Sequence, residues 1–214
     1  ITTTGATVIE NLEAKSHGIL IWRALLQWLG GVGIIVMALA VLPMLSIGGM
    51  QLFKTESYET PDKVVPKAAS FAAGISIVYI TLTVIWALML WGAGMPMFDS
   101  IAHAMTTLAT GGYSTKSESL AAFNSSTIEI IIIFGMLVGS LPFVHYLTIT
   151  KNGIRNLIKD DQVKLFLTLV LFVVLIMSLY LSFNNLPYIE ALRLASFNVI
   201  SIITGTGFGT SDFN

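Results

Sequence analysis

The sequence predicts an all-α membrane protein built from repeated units of helix, short re-entrant helix, Gly/Thr loop and helix. Three observations carry that prediction. The chain of 214 residues is 55% hydrophobic and only 11% charged, where a soluble domain carries about 25% charged residues. Four charge-free stretches reach the ~20 residues that a helix needs to cross roughly 30 Å of hydrocarbon. A short Gly/Thr segment recurs three times, at places where lipid would reject irregular backbone.

The four stretches are Ala24 to Gly49, Ala68 to Gly94, Ile130 to Thr150 and Leu165 to Phe183. Pro43 and Pro142 fall late in the first and third, where a proline kinks or ends a helix. Lys and Arg collect in short cytoplasmic loops. Lys54, Lys63 and Lys67 lie between spans one and two, and Lys151, Arg155, Lys159 and Lys164 between spans three and four. Those seven of the eleven basic residues mark the inner side, so spans one and three run inward and two and four outward. Lys15, Lys116, Arg193 and Arg23 fall on the outer side.

On that outer side, Phe98 to Leu108 and the stretch after Pro187 are helix-compatible but too short and polar to span. Each follows a proline, Pro96 or Pro187, and carries an early acid, Asp99 or Glu190, as suits a helix start. They read as half-helices. The Gly/Thr segments are "TTTGATV" at 2–8, "ATGGYST" at 109–115 and "TGTGFGT" at 204–210, which align on Gly5, Gly112 and Gly207. The second and third each follow a half-helix, so the unit repeats with one orientation and its loops can form a ring about one axis.

The domain reading follows. Residues 1–50 end a first unit, 51–67 form a cytoplasmic loop, 68–150 a second unit, 151–164 a second cytoplasmic loop, and 165–214 start a third. The chain begins with Ile1 and shows no signal peptide, so both ends are expected to be cut from a longer protein that holds at least one further unit.

A lone Gly/Thr cluster reads as a turn. Three, two of them behind half-helices, read as a pore lining, because irregular backbone survives at membrane depth only where it is buried in protein or lines a watery cavity. Carbonyl rings of this kind replace the hydration shell of an alkali cation, as in a potassium-channel-like pore. Glycine supplies the positive φ that aligned carbonyls need, and threonine adds a hydroxyl. The candidate cation filter is therefore Thr3, Thr4 and Gly5, with Thr110, Gly111 and Gly112, and Gly205, Thr206 and Gly207.

"TTTGAT" followed by "LLQWLGGVGIIVMALAVLPMLSIGGMQLF" resembles the first filter and following helix of the Trk-type potassium transporters of bacteria, the TrkH proteins of the Trk/Ktr/HKT superfamily. "HAMTTLATGGYST" and "NVISIITGTGFGTSDF" are similar to the second and third filters. The resemblance implies four such units about one pore in the cytoplasmic membrane, with Gly5, Gly112 and Gly207 favouring K⁺ over Na⁺. It also implies a homodimer and a cytosolic nucleotide-binding regulatory subunit, TrkA-like, as partners. The potassium ion is the expected cofactor, with no organic cofactor on this chain.

Other residues have plainer readings. His103 and Asn198, each nine residues before a filter glycine, could brace a filter from behind or simply be satisfied polar groups in the half-helices. His145 suits packing or the inner interface. Gly30, Gly31 and Gly33, with Gly135 and Gly139, offer surfaces for close helix approach. Glu129 and Arg23 suit interfacial span ends. Trp22, Trp28, Trp86 and Trp91 suit interface anchors.

Near-neutral charge, −1 overall, gives no reason to expect nucleic acid, whereas membrane lipid is an expected partner. The absence of cysteine excludes disulfides and thiolate metal sites. No span carries an acid at its middle, which speaks against proton-coupled carriage. A sodium-permeable transporter of the same superfamily is the alternative. An intramembrane enzyme is remote, because Ser140 and His145 share a span but are five residues apart.

Overall fold

The computed structural model describes residues 2–9, 11–45, 61–143, 145–147, 157 and 159–210. The inner-side residues Lys54, Lys151 and Arg155 lie outside these, as do the ends of the first and third predicted spans. Secondary structure among the described residues is helical throughout. The α-helices with both ends among the described residues run α1 His17–Leu45, α2 Pro61–Gly92, α3 Met97–Leu108, α4 Ser126–Ser140, α5 Asp161–Phe183 and α6 Tyr188–Ile203. Short 3₁₀ turns cover Leu12–Ala14 and Ser119–Phe123.

Two described helices, Ala72–Gly92 within α2 and Asp161–Phe183, are long and apolar enough to cross a membrane, and Ser126–Ser140 is a shorter apolar helix. Helix α4 stops at Ser140 because Pro142 follows two residues later and cannot donate to a helical ladder. Helix α2 already begins at Pro61, inside the stretch expected as the first inner loop. Ser125 caps α4 by accepting from the Ile128 N–H, and Asp160 caps α5 by accepting from the Gln162 and Val163 N–H groups, each replacing a bond the first helical turn lacks.

Helices α1, α2 and α4 surround α3, while α5 packs on α6. The core joins Ile75, Tyr79 and Leu90 of α2, Ile132 and Met136 of α4, and Phe197 of α6, all within 1% of complete burial. Close approach is made possible by glycine. A Cβ on Gly139 would lie 2.8 Å from the Leu108 carbonyl oxygen, and one on Gly135 would lie 2.6 Å from Thr107 Cγ2, so α4 rests directly on α3. Gly31 of α1 plays the same part against Tyr79 and Ala109, whereas nothing lies within 4 Å of a Cβ on Gly33.

The tryptophans divide. Trp22 and Trp91 are more than half exposed, as expected of interface anchors. Trp86 is buried and donates to the Ile131 carbonyl at 3.0 Å, and Trp28 donates to Thr83 Oγ1 at 3.0 Å. Those two hold helices together. The outward face of α5 is strongly apolar, with Leu165, Leu171, Phe172 and Tyr180 all exposed, a surface suited to hydrocarbon rather than water.

Candidate functional site

Both half-helices exist, as α3 and α6, and both end in the same way. Ala109 and Thr204 cap them in right-handed geometry, and the next residue turns left-handed, Thr110 at φ 47° and Gly205 at φ 74°. The Gly111 N–H then reaches back to the Thr106 carbonyl at 2.8 Å, the closure that satisfies the last carbonyls of a helix with a left-handed stop. Two residues on, Gly112 is left-handed at φ 74° and Gly207 at φ 84°. The first loop repeats the pattern with Thr3 at φ 54° and Gly5 at φ 74°. Each loop therefore has two left-handed residues spaced by two, which turns successive peptide planes instead of letting them alternate as in a strand.

Gly5, Gly112 and Gly207 come together as lining of one cavity of about 450 Å³, with Asn11, Ser114 and Lys116 at its rim. Thr3 and Thr110 line a second cavity of about 170 Å³ with Gly31, Tyr79, Gly139 and Phe143. Thr206 is buried, while Thr4 and Gly205 are exposed.

The loops nest against one another. A Cβ on Gly5 would stand 2.7 Å from the Gly111 carbonyl oxygen, and a Cβ on Gly112 would overlap the Thr206 carbonyl oxygen. In both cases the oxygen belongs to the residue just before the next loop's glycine. Around a Cβ on Gly207 nothing lies within 4 Å.

Behind the loops, the half-helices supply matching hydroxyls. Thr106 Oγ1 donates to the Tyr113 carbonyl at 2.8 Å, and Ser201 Oγ donates to the Phe208 carbonyl at 2.7 Å. Each donor sits six residues before its glycine and each acceptor one after. His103 contacts the Asp99 carbonyl and Ser114 Oγ, at 2.8 and 3.0 Å, while Asn198 donates to the Leu194 carbonyl and Thr210 Oγ1. His103 is satisfied through both ring nitrogens, whereas Asn198 is satisfied only through Nδ2, its Oδ1 being buried without a hydrogen-bond partner; both residues also hold the segment that follows the loop glycine through its side chains. Asp99 adds a 2.7 Å contact from Thr115 Oγ1.

Several ties between units were not evident in the sequence. Gln27 of α1 donates to the Gly111 carbonyl at 2.6 Å and accepts from the Tyr113 N–H at 3.0 Å. Arg23 is buried among these loops. It donates to Thr7 Oγ1 at 2.9 Å and its guanidinium carbon lies 4.3 Å from the centre of the Tyr113 ring, within the range of cation–π attraction. The Tyr113 hydroxyl donates to the Ala6 carbonyl at 3.1 Å. Glu129 is likewise buried, 3.6 Å from Arg193 of α6, whose guanidinium also reaches Ser126 Oγ at 2.5 Å. On the outer turn, Ser117 donates its N–H and hydroxyl to Glu13, both at 2.7 Å, and holds that carboxyl down at about 2. His145 faces Asp160 at 3.5 Å, at the start of α5, which fits the inner-interface reading. Ser140 donates to the Leu137 carbonyl of its own helix.

Comparison with known proteins agrees with this architecture. The TrkH family profile, described as "Cation transport protein", matches residues 1–214. A Trk system potassium uptake protein TrkI of Halomonas elongata is 38% identical over all of this chain, and a TrkH of Salmonella typhimurium is 39% identical over 98% of it. The chain spans 44% of the length of each. A crystal structure of the potassium transporter TrkH from Vibrio parahaemolyticus is 35% identical and superposes with a TM-score of 0.85, covering 98% of this chain and 43% of that one. With the whole chain matched and its helices in the same arrangement, this protein belongs to the TrkH family of cation transport proteins.

Proposed function

We propose that the chain contributes three of the loops of a K⁺-selective pore that takes up potassium across the bacterial cytoplasmic membrane. Three Gly/Thr loops with left-handed residues spaced by two place Gly5, Gly112 and Gly207 on one cavity, and this observation carries the reading. Thr3, Thr4 and Gly5, Thr110, Gly111 and Gly112, and Gly205, Thr206 and Gly207 form the filter in this reading. Backbone carbonyls and threonine hydroxyls are hard oxygen donors that can stand in for the water around an alkali cation. The open space beside Gly207 is where a fourth loop would nest, as loop two does beside Gly5. A homodimer with a cytosolic nucleotide-binding regulatory subunit is the proposed assembly, and membrane lipid covers the apolar outer faces.

The test is K⁺ and Na⁺ uptake by the complete protein, beside a Gly112→Ser variant, in cells lacking their own potassium uptake. Uptake that prefers K⁺ and loses the preference in the variant is expected. Equal uptake of both ions by the wild type would overturn selectivity, and indifference to the substitution would remove Gly112 from the filter.

A further inference from the structure

Gln27 is an amide among the largely apolar residues of α1, four residues after Arg23, and it is 1% exposed. Burying a carboxamide is costly unless its donors and acceptor are used. Here they are used on the backbone of the second loop. Nε2 donates to the Gly111 carbonyl at 2.6 Å while Oε1 accepts from the Tyr113 N–H at 3.0 Å. The two contacts straddle Gly112, so one side chain fixes the peptide groups before and after that residue.

The contact also explains the double glycine of this loop. Gly111 has no positive φ to require glycine, yet a Cβ there would lie 2.5 Å from Gln27 Cδ. Glycine at 111 is needed for the approach of Gln27, whereas the first and third loops have threonine at the corresponding positions, Thr4 and Thr206. The Gly111 carbonyl that Gln27 holds is the same oxygen that sits against Gly5. Gln27 belongs to the helix that follows the first loop, and its reach to the second therefore sets how far apart two walls of the cavity stand.

We propose that Gln27 is a positioning residue for ion selection: its carboxamide fixes the second loop against the first and so sets the bore of the ring at that level. It touches no ion. Discrimination between cations of different radius depends on the size of the oxygen cage or on the number and field of its dipoles, and releasing the Gly111 carbonyl alters both. This inference rests on the pore reading above.

The test measures K⁺, Rb⁺ and Na⁺ uptake by the complete protein, each scaled to the amount in the membrane, for wild type, Gly112→Ser, Gln27→Met and Gln27→Glu. Methionine keeps the length and removes both hydrogen bonds. Glutamate keeps an acceptor for Tyr113 and loses the donor to Gly111. The expected result is that both variants still transport K⁺ while the K⁺ preference over Na⁺ falls by about tenfold, the scale of one lost hydrogen bond to the backbone. Unchanged preference in either variant that reaches the membrane overturns the proposal. Failure of both to reach it assigns Gln27 to folding alone and overturns it too. A wild type without K⁺ preference, or an indifferent Gly112→Ser, overturns the pore reading itself.

Discussion

Loop 109–115 is held from two sides, by its own half-helix and by Gln27 and Arg23 of α1, whereas loop 204–210 draws its support from its own half-helix and from the outer turn of the unit before. In the second loop, Thr106 and His103 act from α3 while Gln27 grips residues 111 and 113. In the third, Ser201 and Asn198 act from α6, and Gly209 exchanges bonds with Ser119 and Leu120 at 3.2 Å each. The shared part is the half-helix hydroxyl and the left-handed pair. What differs is the cross-brace, so one repeated motif can be anchored to its neighbours by different means without changing its backbone.

The largest expected effect tests nesting. Gly112→Ala drives a methyl group into the Thr206 carbonyl and strains a left-handed residue. It should cost about 3 kcal/mol or more, overpacking added to handedness. Gly207→Ala strains a left-handed residue with open space around it, for about 1–2 kcal/mol. Thermal unfolding of the purified 214-residue chain, in which no fourth loop stands beside Gly207, measures both, and equal losses there would break the distinction between the loops.

Next come the hydroxyls common to both. Thr106→Val and Ser201→Ala each strand a carbonyl beside a loop glycine, at about 1–3 kcal/mol, and the two losses should match. Thr106→Ser, which keeps the donor, should retain most of the stability. A large loss in one loop with none in the other, read by thermal inactivation of cation uptake, would show that the bracing is not shared.

Arg193→Ala leaves the buried Glu129 carboxylate without its partner. Because Arg193 is partly exposed, the expected loss is about 1–2 kcal/mol, below that of a fully buried pair. Adding Glu129→Gln should recover part of it. A double variant as unstable as the sum of both single changes would mean that the pair does not couple α4 to α6.

The smallest effect concerns Glu13. Its carboxyl is held at about 2 by Ser117, below an ordinary value of 4.5. A depressed carboxylate stabilises the fold above the ordinary value, and that contribution fades as pH drops from about 4.5 through about 2. Because the group lies on the surface, the change is slight. Unfolding temperature should fall a little less steeply over that window in Glu13→Gln, and parallel pH curves would remove the link between the first and second outer turns.

Much of this was legible because it is local. Pro96 with Asp99 and Pro187 with Glu190 marked the two half-helix starts, Pro142 marked the break after α4, and the glycine spacing of "GMLVG" marked the face that α4 lays on α3. The left-handed pairs followed from glycine at one position, but Thr3 and Thr110 carry no such mark, since threonine ordinarily avoids positive φ. Gln27, Arg23 and Glu129 were harder. Each makes its contact across a unit boundary, and one polar residue in an apolar helix does not name its partner. Thr106 and Ser201 could have been found, since both stand six residues before an aligned glycine.

Where a carbonyl occupies the place of the absent side chain of Gly5 and again of Gly112, the loops behave like neighbouring stones of an arch. A residue larger than glycine at 112 becomes acceptable only once the third loop has shifted. New shapes of the shared cavity then arise through coordinated changes in adjoining loops, or through braces such as Gln27 that move a loop without adding bulk to it.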